Sequence, residues 1–186
     1  MKHDKVSLRK KFLLIRKKKY SKNLKVNFNP EFTFINQHFN KKKIIIGGYY
    51  PINYEVNILS FLAKASNQNF KISLPLIKSS YEMRFKTWKF KEPLNISKFG
   101  TLEPNNIKKE VVPDLIMVPL VAFDKQLNRV GYGKGYYDRS LKKISKIKKK
   151  TIYLGIAYSF QKCTKIPTNK YDFKLDYIFT ERGIIN

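Results

Sequence analysis

The sequence predicts an α/β fold: one domain over residues 1–186, with a mostly parallel (mixed) central sheet, helices on both of its faces, and the layering of an open three-layer sandwich. Three observations carry that prediction. Short apolar, β-branched runs alternate along the chain with segments whose apolar residues recur at helical spacing, the pattern of strands joined by crossover helices. The apolar runs are near-continuous, as expected of strands covered on both faces. No internal repeat, Gly/Ser linker or shift of composition divides the 186 residues, and 42% hydrophobic content is enough for one substantial core.

The elements can be justified in order. Asp4 is placed to cap a helix running to about Tyr20, on which Leu8, Phe12 and Ile15 form an apolar stripe at i, i+4 and i+7. Pro30 suits the first turn of a second, short helix. "KKIIIG" (42–47) then reads as a buried strand, "YEVNILSFLAKAS" (54–66) as a helix, "FKISLP" (70–75) as a strand and "DLIMVPL" (114–120) as a third strand. A glycine-rich loop follows, then "YYDRSLKKISKI" (136–147) as a helix and "TIYLGIA" (151–157) and "LDYIFT" (175–180) as the last two strands. In such sheets ligands collect at the carboxyl ends of the strands, so the loop after the third strand is where a site is expected.

Composition narrows the function classes. The longest apolar run, "LIMVPLVAF" (115–123), is far shorter than the roughly 20 residues that span a bilayer, so no membrane partner is expected. The single cysteine, Cys163, has no second cysteine for a disulfide or a metal cluster, which fits a reducing, cytoplasmic setting. Eleven basic residues in the first 25 raise the question of a transit peptide, but the segment is lysine-rich rather than rich in arginine and serine. The net charge of +26 would by itself suggest nucleic acid. Only six of the 39 basic residues are arginine, however, and the lysines are spread over the whole chain, so the expectation is attraction of polyanionic small molecules rather than nucleic-acid recognition.

The loop "RVGYGKGYYDR" (129–139) carries the chemistry. Its alternating Gly131, Gly133 and Gly135 describe a tight turn whose amides can converge on an anion, Lys134 adds a mobile positive charge, and the following helix presents its positive dipole end. A polyphosphate is the expected guest, although the pattern is neither G-x-x-x-x-G-K-[ST] nor G-x-G-x-x-G. A glycine-rich turn with aromatic packing is the alternative. Asp138 has two readings, a charge favouring a helix N-terminus or a ligand for magnesium, which is held by one or two carboxylates together with phosphates and water.

The block "VPLVAFDKQLNRVGYGKGYYDR" strongly resembles the signature of the 5-formyltetrahydrofolate cyclo-ligase family. Further matches are "KVSLRK", "YYPINYEVN", "ISLP", "FGTLEP" and "PTNKYDFKLDYIFTE", so the resemblance spans Lys5 to about Glu181. It implies that ATP phosphorylates the formyl oxygen of 5-formyltetrahydrofolate, with or without a polyglutamate tail. The anilino nitrogen then closes the ring, and 5,10-methenyltetrahydrofolate, ADP and phosphate leave. ATP as co-substrate and Mg2+ are the implied cofactors, and a monomer or weak homodimer is expected. Positioning and charge stabilisation suffice for phosphoryl transfer, in keeping with a chain whose two histidines, His3 and His38, sit in no nucleophile setting.

Carried over residue by residue, the resemblance implies an ATP site made of Lys5, Val6, Ser7, Leu8 and Arg9 together with Arg129, Val130, Gly131, Tyr132, Gly133, Lys134, Gly135, Tyr136 and Tyr137. Arg129 and Lys134 would neutralise phosphate charge during the transfer, Asp138 and Asp172 would hold magnesium, and Tyr50 and Glu55 would contact folate. Each has a plainer reading on sequence alone. Lys5 and Arg9 share a helix face that could be merely solvated, Glu55 could be an acid at a helix N-terminus, and Asp172 could be a turn residue. Two departures stand out: Val130 where leucine is usual, and Tyr171 where many members have histidine. Trp88 reads as a packed aromatic beside the folate side of the cleft. The competing classes are another ATP-dependent small-molecule kinase or ligase, for which Tyr50 and Glu55 would not matter, and a basic nucleic-acid module with steep salt dependence.

Overall fold

The computed structural model describes residues 4–21, 24, 26–40, 43–78, 82–97 and 100–186. The chain opens with helix α1 (Lys5–Lys19), whose N-terminus is capped as expected, the Asp4 carboxylate accepting from the Ser7 amide at 2.6 Å. Helix α2 (Asn29–Phe39) has Pro30 in its first turn and leads to strand β1 (Ile45–Gly47); Lys42 of the predicted strand lies outside the described residues. Next come α3 (Leu59–Asn67), β2 (Lys71–Ile77), β3 (Met83–Thr87), and the short pieces β4 (Asn95–Ile96), β5 (Leu102–Glu103) and β6 (Glu110–Val111). The third predicted strand is β7 (Leu115–Pro119), followed by a small hairpin of β8 (Ala122–Phe123) and β9 (Arg129–Val130). Helix α4 (Tyr136–Ile147), β10 (Ile152–Ile156), β11 (Tyr177–Thr180) and β12 (Gly183–Ile185) complete the chain.

Eight strands form one sheet in the order β12-β11-β10-β7-β1-β2-β3-β6. The five central strands run parallel; the pairings at both edges, β11 with β12 and β2 with β3 and β3 with β6, are antiparallel. The sheet is therefore mixed and mostly parallel, as predicted. The edge strands were not read from the sequence. β3 has the alternation of a half-covered strand, Met83 and Phe85 buried between partly exposed Arg84 and Lys86, and β12 is only three residues long.

Strand β7 shows how the layers are built. Successive side chains of a strand point to opposite faces. Leu115 and Met117 join a cluster with Ile35 of α2 and Phe61 and Leu62 of α3; Ile116 and Val118 join another with Leu141 and Ile144 of α4. Helices thus cover both faces. A third cluster docks Leu8 and Phe12 of α1 on Val121, Ala122, Val130 and Ile166.

One predicted helix is corrected. The segment 54–66 was expected to be helical throughout, yet α3 begins at Leu59, and Asn53 and Tyr54 have positive φ of 47° and 62°. Local bonds hold this stretch out of the helix: Glu55 accepts from the Ile52 amide at 2.9 Å, Tyr49 Oη donates to the Val56 carbonyl at 2.8 Å, and the Asn57 side chain accepts from the Leu59 amide.

Candidate active site

The site begins where β7 ends. The β8–β9 hairpin places the glycine loop beside that carboxyl end, and buried Asp124 fastens the hairpin turn. Its carboxylate accepts from the amides of Gln126, Asn128 and Ile166 and from the Asn128 side chain, all at 2.9 to 3.1 Å. In the loop itself, Gly133 and Gly135 have φ of +92° and +69°, conformations side-chain-bearing residues rarely adopt. A Cβ at Gly133 would stand 3.0 Å from the Arg9 guanidinium carbon, and Arg139 occupies the space beside Gly135. Gly131 has neither feature, so two of the three alternating glycines are needed for the bend as it stands.

A cavity of about 470 Å³ opens between this loop, α1, and the segments after β1 and β2. Among the described residues, five cationic side chains line it: Lys5, Arg9, Arg129, Lys134 and Arg139. Arg9 Nε donates to the Gly131 carbonyl at 2.7 Å, which ties α1 to the loop. Arg129, 7% exposed, donates to Asp138 Oδ1 at 2.8 Å and to the Phe173 carbonyl at 2.8 Å. Lys5 is ion-paired with Asp172, and Asp172 also accepts from the Asn169 amide at 2.7 Å. Among the described residues Lys134 has no ion-pair partner.

Four carboxylates line the same cavity: Glu55, Glu103, Asp138 and Asp172. Glu55 is 6% exposed, and burial pushes its carboxyl up to about 7, with the Ile52 amide and the charge of Arg16 pulling the other way. The Glu55 charge and burial also hold the phenols of Tyr132 and Tyr137 high, Tyr132 at about 12. One cavity therefore brings cationic side chains together with a desolvated carboxylate, several tyrosines and the apolar Pro75, Ile77 and Met83.

The model of the 5-formyltetrahydrofolate cyclo-ligase family matches residues 1–181. The chain belongs to that family. Among its relatives are the 5-formyltetrahydrofolate cyclo-ligases of Haemophilus influenzae, 31% identical over 133 residues (68% of this chain, 70% of the relative), and of Mycoplasma genitalium, 34% identical over 131 residues (70% and 68%). Two solved structures are similar in fold. The 5,10-methenyltetrahydrofolate synthetase of Aquifex aeolicus gives a TM-score of 0.77 at 30% identity, covering 97% of this chain and 91% of that one. The 5,10-methenyltetrahydrofolate synthetase of Mycoplasma pneumoniae gives 0.69 at 27%, covering 96% and 99%. The chain is thus an enzyme of the cyclo-ligase class.

For a cyclo-ligase, the placement of the predicted residues is informative. Lys5 and Arg9, Arg129, Gly131 to Tyr137, Asp138, Asp172, Tyr50 and Glu55 all line the one cavity. Val6 is exposed, Leu8 and Val130 belong to the core beneath, and the Ser7 amide serves the helix cap, so these four support the wall rather than form it. Glu55 precedes α3 by four residues and is not an acid at a helix N-terminus. Asp138 does lie in the first turn of α4, paired with Arg129. Trp88 is a packed aromatic as read, its Nε1 donating to the Glu92 carbonyl, but it lies in the core and not on the cavity wall.

Cys163 is half-buried, donates to the Phe123 carbonyl, and is held up at about 11 by burial, which suits no nucleophile. Among the described residues no group of three or more His, Cys, Asp or Glu could hold a metal unaided. Asp138 and Asp172 are hard oxygen donors on the cavity wall, both acting on Arg129, which fits magnesium that takes most of its ligands from phosphate and water. Sequence reasoning missed Arg16, Arg139, Glu103 and Tyr49. "FGTLEP" had been matched without a role, and it supplies Thr101, Leu102 and Glu103 to the wall.

Proposed function

We propose that this cyclo-ligase uses ATP with Mg2+ to convert 5-formyltetrahydrofolate to 5,10-methenyltetrahydrofolate, releasing ADP and phosphate. One observation carries the reading: a single cavity is lined both by the glycine-bent loop with its cationic side chains and by the buried Glu55 carboxylate and Tyr50. The triphosphate lies along residues 129–137, with Lys5 and Arg9 contacting it from α1. Lys134 and Arg129 supply positive charge as the γ-phosphoryl group passes to the formyl oxygen, so that the bond to ADP breaks as the new O–P bond forms. Glu55 accepts hydrogen bonds from folate ring donors and Tyr50 packs against the same ring system. This holds the anilino nitrogen near the activated formyl carbon; its attack expels phosphate, and its proton passes to solvent.

Asp138 and Asp172 would hold Mg2+, which offsets phosphate charge when bound. Their ion-pair partners, Arg129 and Lys5, line the same cavity. A monomer or weak homodimer working in the cytoplasm, on monoglutamate or polyglutamate substrate, completes the proposal.

The test mixes protein, 5-formyltetrahydrofolate, ATP and Mg2+ and follows the near-ultraviolet absorbance of the methenyl product. ATP-dependent product is expected, with Asp138→Ala lowering kcat/KM by roughly 100-fold or more and weakening the dependence on Mg2+. Product that forms equally without ATP, or not at all with the unaltered chain, overturns the reading.

A further inference from the structure

Helix α1 turns Lys5, Arg9 and Arg16 toward the site, at i, i+4 and i+11. Lys5 and Arg9 reach the cavity. Arg16 lies beyond them and is 1% exposed, the largest of the fully buried side chains. Burying a guanidinium costs several kcal/mol unless its surroundings compensate. The helix already docks through Leu8 and Phe12, so packing alone does not call for a charge there.

Arg16's contacts point to the cavity. Nη1 donates to the Leu120 carbonyl just past β7 at 3.1 Å, Nη2 donates to Tyr132 Oη, and the guanidinium carbon lies 5.6 Å from the Tyr132 ring centroid. Nε is buried with no hydrogen-bond partner, and no described ion pair includes Arg16. Tyr132 lines the same cavity as Glu55, and its hydroxyl favours the ionised Glu55 carboxylate. Among the described residues, the ionisable groups coupled to Glu55 are Arg16 from α1, Tyr132 from the loop, Tyr137 from α4 and Tyr49 from the segment after β1, and Arg16 is the cation of this set.

We infer that Arg16 is a positioning residue for the folate half of the site: it fixes Tyr132 on the wall of the cavity that Glu55 also lines, and through that residue acts on Glu55. The inference rests on the proposed folate role of Glu55. The same helix thereby serves both substrates, its first turn the nucleotide and its last turn the folate.

The experiment measures KM for 5-formyltetrahydrofolate and for ATP between about pH 5.5 and 8.5 in the unaltered chain, Arg16→Met, Tyr132→Phe and the double variant, with thermal unfolding as a check on folding. Folate binding needs ionised Glu55, so its KM rises as pH falls through the Glu55 range. In Arg16→Met that rise moves up by roughly one pH unit while KM for ATP stays within about twofold. Tyr132→Phe moves it the same way, and the double variant moves little beyond Arg16→Met, because the two act in one chain.

A rise that stays in place in folded Arg16→Met, or KM values for both substrates climbing together, overturns the inference. Should Arg16→Met fail to fold, Tyr132→Phe decides: the upward shift supports the inference and an unmoved profile overturns it. No ATP-dependent turnover by the unaltered chain removes the functional reading and the inference with it, an outcome distinct from an unmoved profile in an active enzyme.

Discussion

Glu55 is the residue at which environment most changes chemistry. An exposed glutamate ionises near 4.5; here burial raises that to about 7. Because the folded-state value is raised, the folded protein holds this proton more tightly than the unfolded chain. The ionisation penalty is absent below about 4.5, grows as pH rises through the interval, and is complete above about 7. Glu55→Gln cannot ionise, so its stability relative to the unaltered chain is expected to improve by up to about 3 kcal/mol between pH 4.5 and pH 8, read from urea unfolding at several pH values. A difference that stays flat with pH would show that the carboxyl is not desolvated. On the proposed folate role of Glu55, saturating 5-formyltetrahydrofolate is expected to narrow the difference.

Among the elements, α1 matters most for function, because its docking carries Lys5, Arg9 and Arg16 into place together. Phe12 is the anchor, packed with Val121, Ala122, Val130 and Ile166. Phe12→Ala is expected to cost about 3–5 kcal/mol and, where the fold survives, to lower kcat/KM by roughly tenfold or more through misplacement of the cationic residues. Ile35→Ala on α2 is the comparison: Ile35 is 1% exposed in the core, but among the described residues α2 supplies none to the cavity wall. It is expected to lose about 2–5 kcal/mol with kcat/KM little changed. Equal losses of kcat/KM in the two variants, measured well below both melting temperatures, would show that α1 has no special coupling to the site.

At the scale of the whole molecule, the net charge of +26 surrounds a cavity proposed to receive two anionic substrates. Steering by such a field is screened within a Debye length of about 10 Å at 0.1 M salt. Raising KCl from 0.05 to 0.5 M is expected to increase KM for both substrates by roughly three- to tenfold with kcat little changed, as checked by initial rates. Flat KM values would leave the lysine excess without a role in substrate capture.

The central strands and the four helices were legible because apolar periodicity is local information. Leu8 and Phe12 on α1, and the unbroken "LIMV" of β7, announce themselves without reference to anything distant. The antiparallel outer strands were less so: β3 and β12 are short, and they take their place by pairing with β2 and β11. The start of α3 escapes the periodicity for a different reason: local bonds of Glu55 to Ile52, Tyr49 to Val56 and Asn57 to Leu59 compete with the helix.

The sequence by itself determined the α/β pattern, the glycine loop and, through the spelling of residues 118–139, the family. Only the tertiary structure decided that Lys5 pairs with Asp172 and Arg129 with Asp138, that Arg16 is buried behind Tyr132, and that Glu55 is desolvated. The physical reason is distance along the chain. A local signal is set by neighbours within a few residues, whereas burial and charge pairing bring together groups separated by as many as 167 positions, from Lys5 to Asp172, and no local pattern encodes which of them will meet.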